Sequence, residues 1–137
     1  MNKHLYLRAY LAGIAMPTMF MLLGLSFFII ARFVYNVPVA IERLLVFPMA
    51  LVPNLWGVWN MLYARLGPGR RLPLGIHGAA LVFLLLPVGL TLARALDIWI
   101  VTPTPTLIMT IFPVALIVYY LVWKHIVGFL NQVVAVG

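Results

Sequence analysis

The stretch Leu74-Gly75-Ile76-His77-Gly78-Ala79-Ala80-Leu81-Val82-Phe83-Leu84-Leu85-Leu86-Pro87-Val88-Gly89-Leu90-Thr91-Leu92-Ala93 decides how this chain folds. It contains no charged side chain, and about 20 apolar residues wound as a helix cross the hydrocarbon core of a bilayer. A helix on the surface of a soluble core needs a polar face, and this stretch has none. Three further uncharged runs lie to either side of it: Ala9 to Ala31, Leu44 to Ala64, and Ile98 to Trp123. Together they predict an all-α integral membrane protein with four transmembrane helices in an up-and-down antiparallel bundle. The expected spans are about 9–33, 42–64, 74–94 and 104–123, with 124–137 as a short C-terminal interfacial segment, and 1–137 as one domain.

Composition points the same way. The chain has 137 residues, 66% of them hydrophobic and only 8% charged, with a mean hydropathy of +1.15. Soluble domains carry about 25% charged residues. Four spans and their turns use the whole length, which leaves no room for a separate soluble domain. The apolar stretch after Lys3 and Arg8 exceeds a signal-peptide core of about 7–15 residues, and it is read as an uncleaved first span.

The net charge of +7 would suggest nucleic acid in a soluble protein, but every cation here lies near the end of a span. Lys3, Arg8, Arg65, Arg70, Arg71 and Lys124 fall on one side of the proposed topology, and Arg32, Arg43 and Arg94 on the other. Because Lys and Arg accumulate on the cytoplasmic side, this distribution predicts cytoplasmic termini and a cytoplasmic middle loop. Arg65, Arg70, Arg71 and Lys124 are the expected contacts for anionic lipid headgroups. No nucleic-acid partner is expected.

The breaks between runs carry turn chemistry. Leu66-Gly67-Pro68-Gly69-Arg70-Arg71-Leu72-Pro73 holds two glycines, two prolines and two arginines, and no helix continues through it. Thr104 followed by Pro105 is a helix start, because the threonine hydroxyl caps and proline suits a first turn. For Ile126 to Val134, a surface-lying segment and a continuation of the fourth helix are both compatible with the sequence.

The second span, with Pro48, Pro53, Asn54, Trp56, Trp59, Asn60 and Tyr63, is the least lipid-like. Pro53 is expected to kink it and to release the carbonyl of Met49. Helical spacing places Trp56, Trp59, Asn60 and Tyr63 on one broad face and turns Asn54 towards Val58 and Met61. With His77, that face is the candidate cofactor-binding site, an aromatic pocket with an amide at its floor. Aromatic anchoring at the interface and amide bonding between helices account for the same residues. No particular cofactor is specified.

Ala9, Gly13 and Pro17 at four-residue steps form a helix-packing seam, as do Gly75 and Gly78 around His77, and Asn54 is a further packing candidate. His4, His77 and His125 share one side of the membrane, yet they come from separate elements without ligand spacing, so no metal site is expected.

Catalysis finds little support. Glu42 and Asp97 are the only acids, both at span ends, and cysteine is absent. Coupled transporters and intramembrane hydrolases place ionisable groups inside the bundle. Ser26 is the only serine and has no base beside it in sequence. The expected role is a non-catalytic accessory or structural subunit that packs against a larger membrane complex and binds lipid or a hydrophobic cofactor. A small homo-oligomeric channel or carrier is the alternative, and a redox or pigment-binding protein using His77 the third. Under the accessory reading, Asn60→Ala is expected to weaken assembly.

Overall fold

A computed structural model describes residues 4–66, 69, 72–98 and 104–136. These residues form helices and connections, with no strand among them. Helix α1 spans Leu5–Phe33; the short α2 spans Ile41–Leu44 and leads through a π-type turn, Leu45–Ala50, into α3, Leu51–Leu66. Helix α4 spans Leu74–Ala95 and α5 Pro105–Val122, followed by a second π-type turn, Trp123–Val127, and α6, Gly128–Val133. Four helical stretches are long and apolar enough to cross a membrane: Leu5–Phe33, Ile41–Leu66, Leu74–Ala95 and Pro105–Val133.

Local chemistry explains the ends. The Thr104 hydroxyl accepts the Leu107 N–H at 3.2 Å, and Pro105 opens α5 without wasting a donor. In the second stretch the helical path breaks at Phe47 (φ −142°, ψ 129°), ahead of Pro48 and six residues before Pro53. Pro53 therefore lies in the first turn of α3, where a missing N–H leaves no hydrogen bond unmade. The hydroxyls of Ser26, Thr91 and Thr110 each bond the carbonyl four residues earlier, at 2.8–3.0 Å, and so satisfy themselves within their own helices.

Helices as apolar as these expose apolar surface on every side, so their mutual arrangement rests on close packing and polar contacts between them. Glycine makes that packing possible. A Cβ added to Gly13 would sit 2.7 Å from the Trp56 carbonyl oxygen and 2.9 Å from Gly57 Cα, and one added to Gly57 would sit 2.5 Å from the Tyr10 ring. Helices α1 and α3 thus meet backbone to backbone. Next to them, α4 meets the fourth stretch: Leu74 lies against Gly128, Gly75 against the Tyr120 ring and Gly78 against Trp123, with Phe83 edge-on to Phe112 at 5.2 Å.

Of the two courses open to Ile126 to Val134, the chain takes continuation of the helix, as far as Val133, in place of a separate interfacial segment over 124–137. Val127, Gly128 and Asn131 are buried, and Val136 packs with Ala9 and Ala64. One face of this segment packs inward because Gly128 is small and Asn131 finds a polar partner inside.

The core occupies one end of the bundle, where α1 and α4 begin and α3 and α6 end. Val52, Trp56, Leu81, Trp123 and Val127 form its main cluster. Beyond Pro17, α1 has no buried residue, and α5 has none at all. At the opposite end, Arg32 pairs with Glu42 at 2.8 Å and Arg43 with Asp97 at 3.4 Å, both in exposed positions.

Candidate functional site

Four elements converge in the core. Helix α3 contributes Trp56, Trp59, Asn60 and Tyr63, helix α4 contributes His77, the second π-type turn contributes Trp123, and α6 contributes Asn131. His77 reaches the interior because its neighbours Gly75 and Gly78 let the Tyr120 and Trp123 side chains close over α4.

His77 and Trp59 hold each other through two bonds. The Trp59 indole N–H donates to the His77 carbonyl at 2.8 Å. The His77 Nε2 lies 3.0 Å from the Trp59 carbonyl oxygen, and since a carbonyl only accepts, Nε2 carries the proton. Their rings stack, with centroids 5.0 Å apart. Tyr63 approaches the same imidazole at 5.2 Å and Trp123 meets it edge-on at 5.8 Å. Among the described residues no group of three metal-ligating side chains exists, and His4 and His125 are exposed while His77 is buried.

Asn60 is the second polar point. Its amide N–H₂ donates to the Ala9 carbonyl and to Asn131 Oδ1, each at 2.7 Å, and Asn131 Nδ2 donates back to Asn60 Oδ1 at 3.1 Å. Three helices are tied at one amide that is completely excluded from the surface. In lipid such bonds average about 0.6 kcal/mol and reach about 1.7. The direction they impose matters more than their energy, because only one register aligns all three partners.

The aromatic face predicted on the second span is therefore divided. Trp59 and Tyr63 turn to His77, while Trp56 lies between Tyr119 and Trp123, at 5.1 and 5.3 Å. Asn60 faces α1 and α6. Trp123 is 0% exposed, and its indole fills the space between these groups. The indole N–H groups of Trp56 and Trp123 are buried without a hydrogen bond of ordinary geometry, although the Trp56 group lies beside the Tyr119 hydroxyl.

The packing residues Ala9, Gly13, Gly75 and Gly78 are buried between helices. Asn54 is placed differently. It is exposed, accepts a short hydrogen bond from the Tyr10 hydroxyl and donates to the Ala50 carbonyl at 2.7 Å. Among the expected headgroup contacts, Arg65 is exposed at the mouth of a groove, and Lys124 lies over the Tyr120 ring at 5.7 Å. Arg70 and Arg71 lie outside the described residues.

Sequence reasoning missed Trp123, Asn131 and Tyr10. Asn131 and Gln132 were the two amides in an otherwise apolar tail, and that was the available signal. Comparison with known protein families, curated proteins and solved structures finds no match to this chain.

Proposed function

We propose that the chain is an accessory subunit inserted in a membrane as an up-and-down antiparallel bundle, with cytoplasmic termini, and that it packs against a larger membrane protein and binds lipid. The order of helix contacts supports the antiparallel arrangement: Ala9 meets Asn60 while Gly13 meets Gly57, and Gly75 meets Tyr120 while Phe83 meets Phe112. The break at Phe47 supports a kinked second span. The excess of Lys and Arg at one end supports the orientation.

Exposed Asn54, bonded to the half-buried Tyr10, carries the accessory reading. Polar groups within a span ordinarily face the bundle interior, because hydrocarbon offers them no partner. Asn54 lies eleven residues before Arg65, about 16 Å along the helix at 1.5 Å per residue, deep within the apolar zone. Tyr10 and the Ala50 carbonyl meet one acceptor and one donor site of this amide, and its outward position fits a face on which another protein's helix meets the rest. The apolar half of α1 beyond Pro17, which the chain's own core leaves uncovered, extends the available contact surface.

A pore is less well supported, since Thr91 and Thr110 spend their hydroxyls on their own helices and Asn60 is sealed in the core. Asn60→Ala accordingly tests the chain's internal fold, and Asn54→Leu tests the partner face. The experiment is gentle solubilisation of the source membrane, recovery through a tag, and mass spectrometry with visible absorption of what comes with the chain. Stoichiometric larger subunits that are lost with Asn54→Leu support the proposal. A colourless homo-oligomer, unchanged by that substitution, would overturn it.

A further inference from the structure

A groove on the seam between α1 and α3 is lined by Tyr6, Val58, Met61, Leu62 and Arg65 and encloses about 460 Å³. Val58, Met61 and Leu62 give it an apolar floor one to two helical turns long. Arg65, in the last turn of α3, and Tyr6, in the first turn of α1, place a guanidinium and a phenol at its mouth. The groove is thus apolar towards the middle of the span and cationic at its end, the polarity of a phospholipid standing beside the helices.

The charge inventory makes the demand for an outside anion specific. The chain has two acidic side chains, and each pairs with an arginine at the far end of the bundle, Glu42 with Arg32 and Asp97 with Arg43. No acidic side chain of the protein is left for Arg65. At the headgroup level of a membrane, the counter-charge on offer is lipid phosphate, and arginine binds phosphate through its planar fork of donors. Tyr6 adds an O–H donor at the same level.

We infer that this groove seats one anionic phospholipid, its phosphate on Arg65 and Tyr6 and one acyl chain along Val58, Met61 and Leu62. The seat rests on the membrane placement and on the lipid-binding half of the function proposed above. It does not depend on a partner protein.

The test titrates the purified full-length chain in neutral detergent with phosphatidylglycerol or phosphatidylcholine and counts bound lipid by native mass spectrometry. Wild type is expected to hold one phosphatidylglycerol in preference to phosphatidylcholine. A cation near the membrane surface contributes about 1 kcal/mol to anionic-lipid binding, so Arg65→Gln should weaken binding about fivefold. Arg94→Gln, an exposed arginine at the opposite end, should change it less than twofold. Leu62→Trp, which fills the groove and leaves Arg65 in place, should weaken binding at least as much as Arg65→Gln. All three positions are exposed, and unchanged helix content by circular dichroism verifies that the variants fold.

Equal losses for Arg65→Gln and Arg94→Gln would reveal diffuse charge attraction and overturn the seat. Undiminished binding by Leu62→Trp, or equal uptake of the two lipids by wild type, would overturn it as well. Recovery of the chain without larger subunits would undo the accessory reading and leave this titration untouched. Recovery with such subunits, but no selective lipid binding, would sink the seat alone.

Discussion

Gly78→Ala adds one methyl group at the most crowded point of the bundle. The new Cβ would lie 1.9 Å from Trp123 Cγ, 2.3 Å from its Cβ and 2.4 Å from its Cδ1, whereas ordinary contact begins at 3.4 Å. The indole would have to retreat by about 1.5 Å. Retreat is obstructed, since Trp123 is 0% exposed and stands against Trp56 and His77. Overpacking a well-filled core costs about 1–3 kcal/mol, and the rigid ring here places the substitution near 3 kcal/mol, a factor of about 150 in the folding equilibrium at 1.4 kcal/mol per tenfold. The assay is reversible unfolding in mixed micelles of mild detergent and sodium dodecyl sulfate, followed by tryptophan fluorescence and far-ultraviolet dichroism. Gly24→Ala serves as the control, because nothing lies within 4 Å of its added Cβ, and it should match wild type or slightly exceed it. A Gly78→Ala protein within 0.5 kcal/mol of the Gly24→Ala protein would refute the packing described for α4 and Trp123.

The amide pair gives a second test in the same micelles. Asn60→Leu should cost about 2 kcal/mol, since it strands a buried Asn131, and the double variant with Asn131→Leu should fall short of the summed single losses by about 1 kcal/mol; strict additivity would argue that the two amides do not meet. Trp59→Phe removes the N–H bonded to the His77 carbonyl and should cost about 1 kcal/mol; no loss would show that this bond contributes nothing net. Arg43→Gln breaks an exposed ion pair worth under about 1 kcal/mol, and the small loss should vanish in high salt; a salt-independent loss would mean that Arg43 acts through packing instead.

The four bilayer-length helices were legible because long charge-free runs carry no polar face for the surface of a soluble core, and Thr104-Pro105 marked a helix start by cap chemistry alone. The broad face on the second span was legible in outline, since periodicity placed Trp56, Trp59, Asn60 and Tyr63 together. Their division among separate partners was not, because it depends on where α4 and α6 stand around α3, and helical period carries no information about neighbours. His77 could be picked out by its small flanking residues, yet its bond to Trp59 needs the α3–α4 register. The break at Phe47 was misplaced to Pro53 because either proline can interrupt a helix, and local sequence does not rank them. Ile126 to Val134 allowed two courses because Asn131 looks like a surface polar group until Asn60 is placed opposite.

The Asn60–Asn131 bond also sets an order of events during synthesis. As α3 is made, Asn60 has the Ala9 carbonyl available on α1, but its other partner is encoded seventy-one positions later. Until the ribosome has delivered residue 131, one face of that amide must be met by water or by a chaperone. Closure of the core therefore waits on a distant segment rather than proceeding helix by helix.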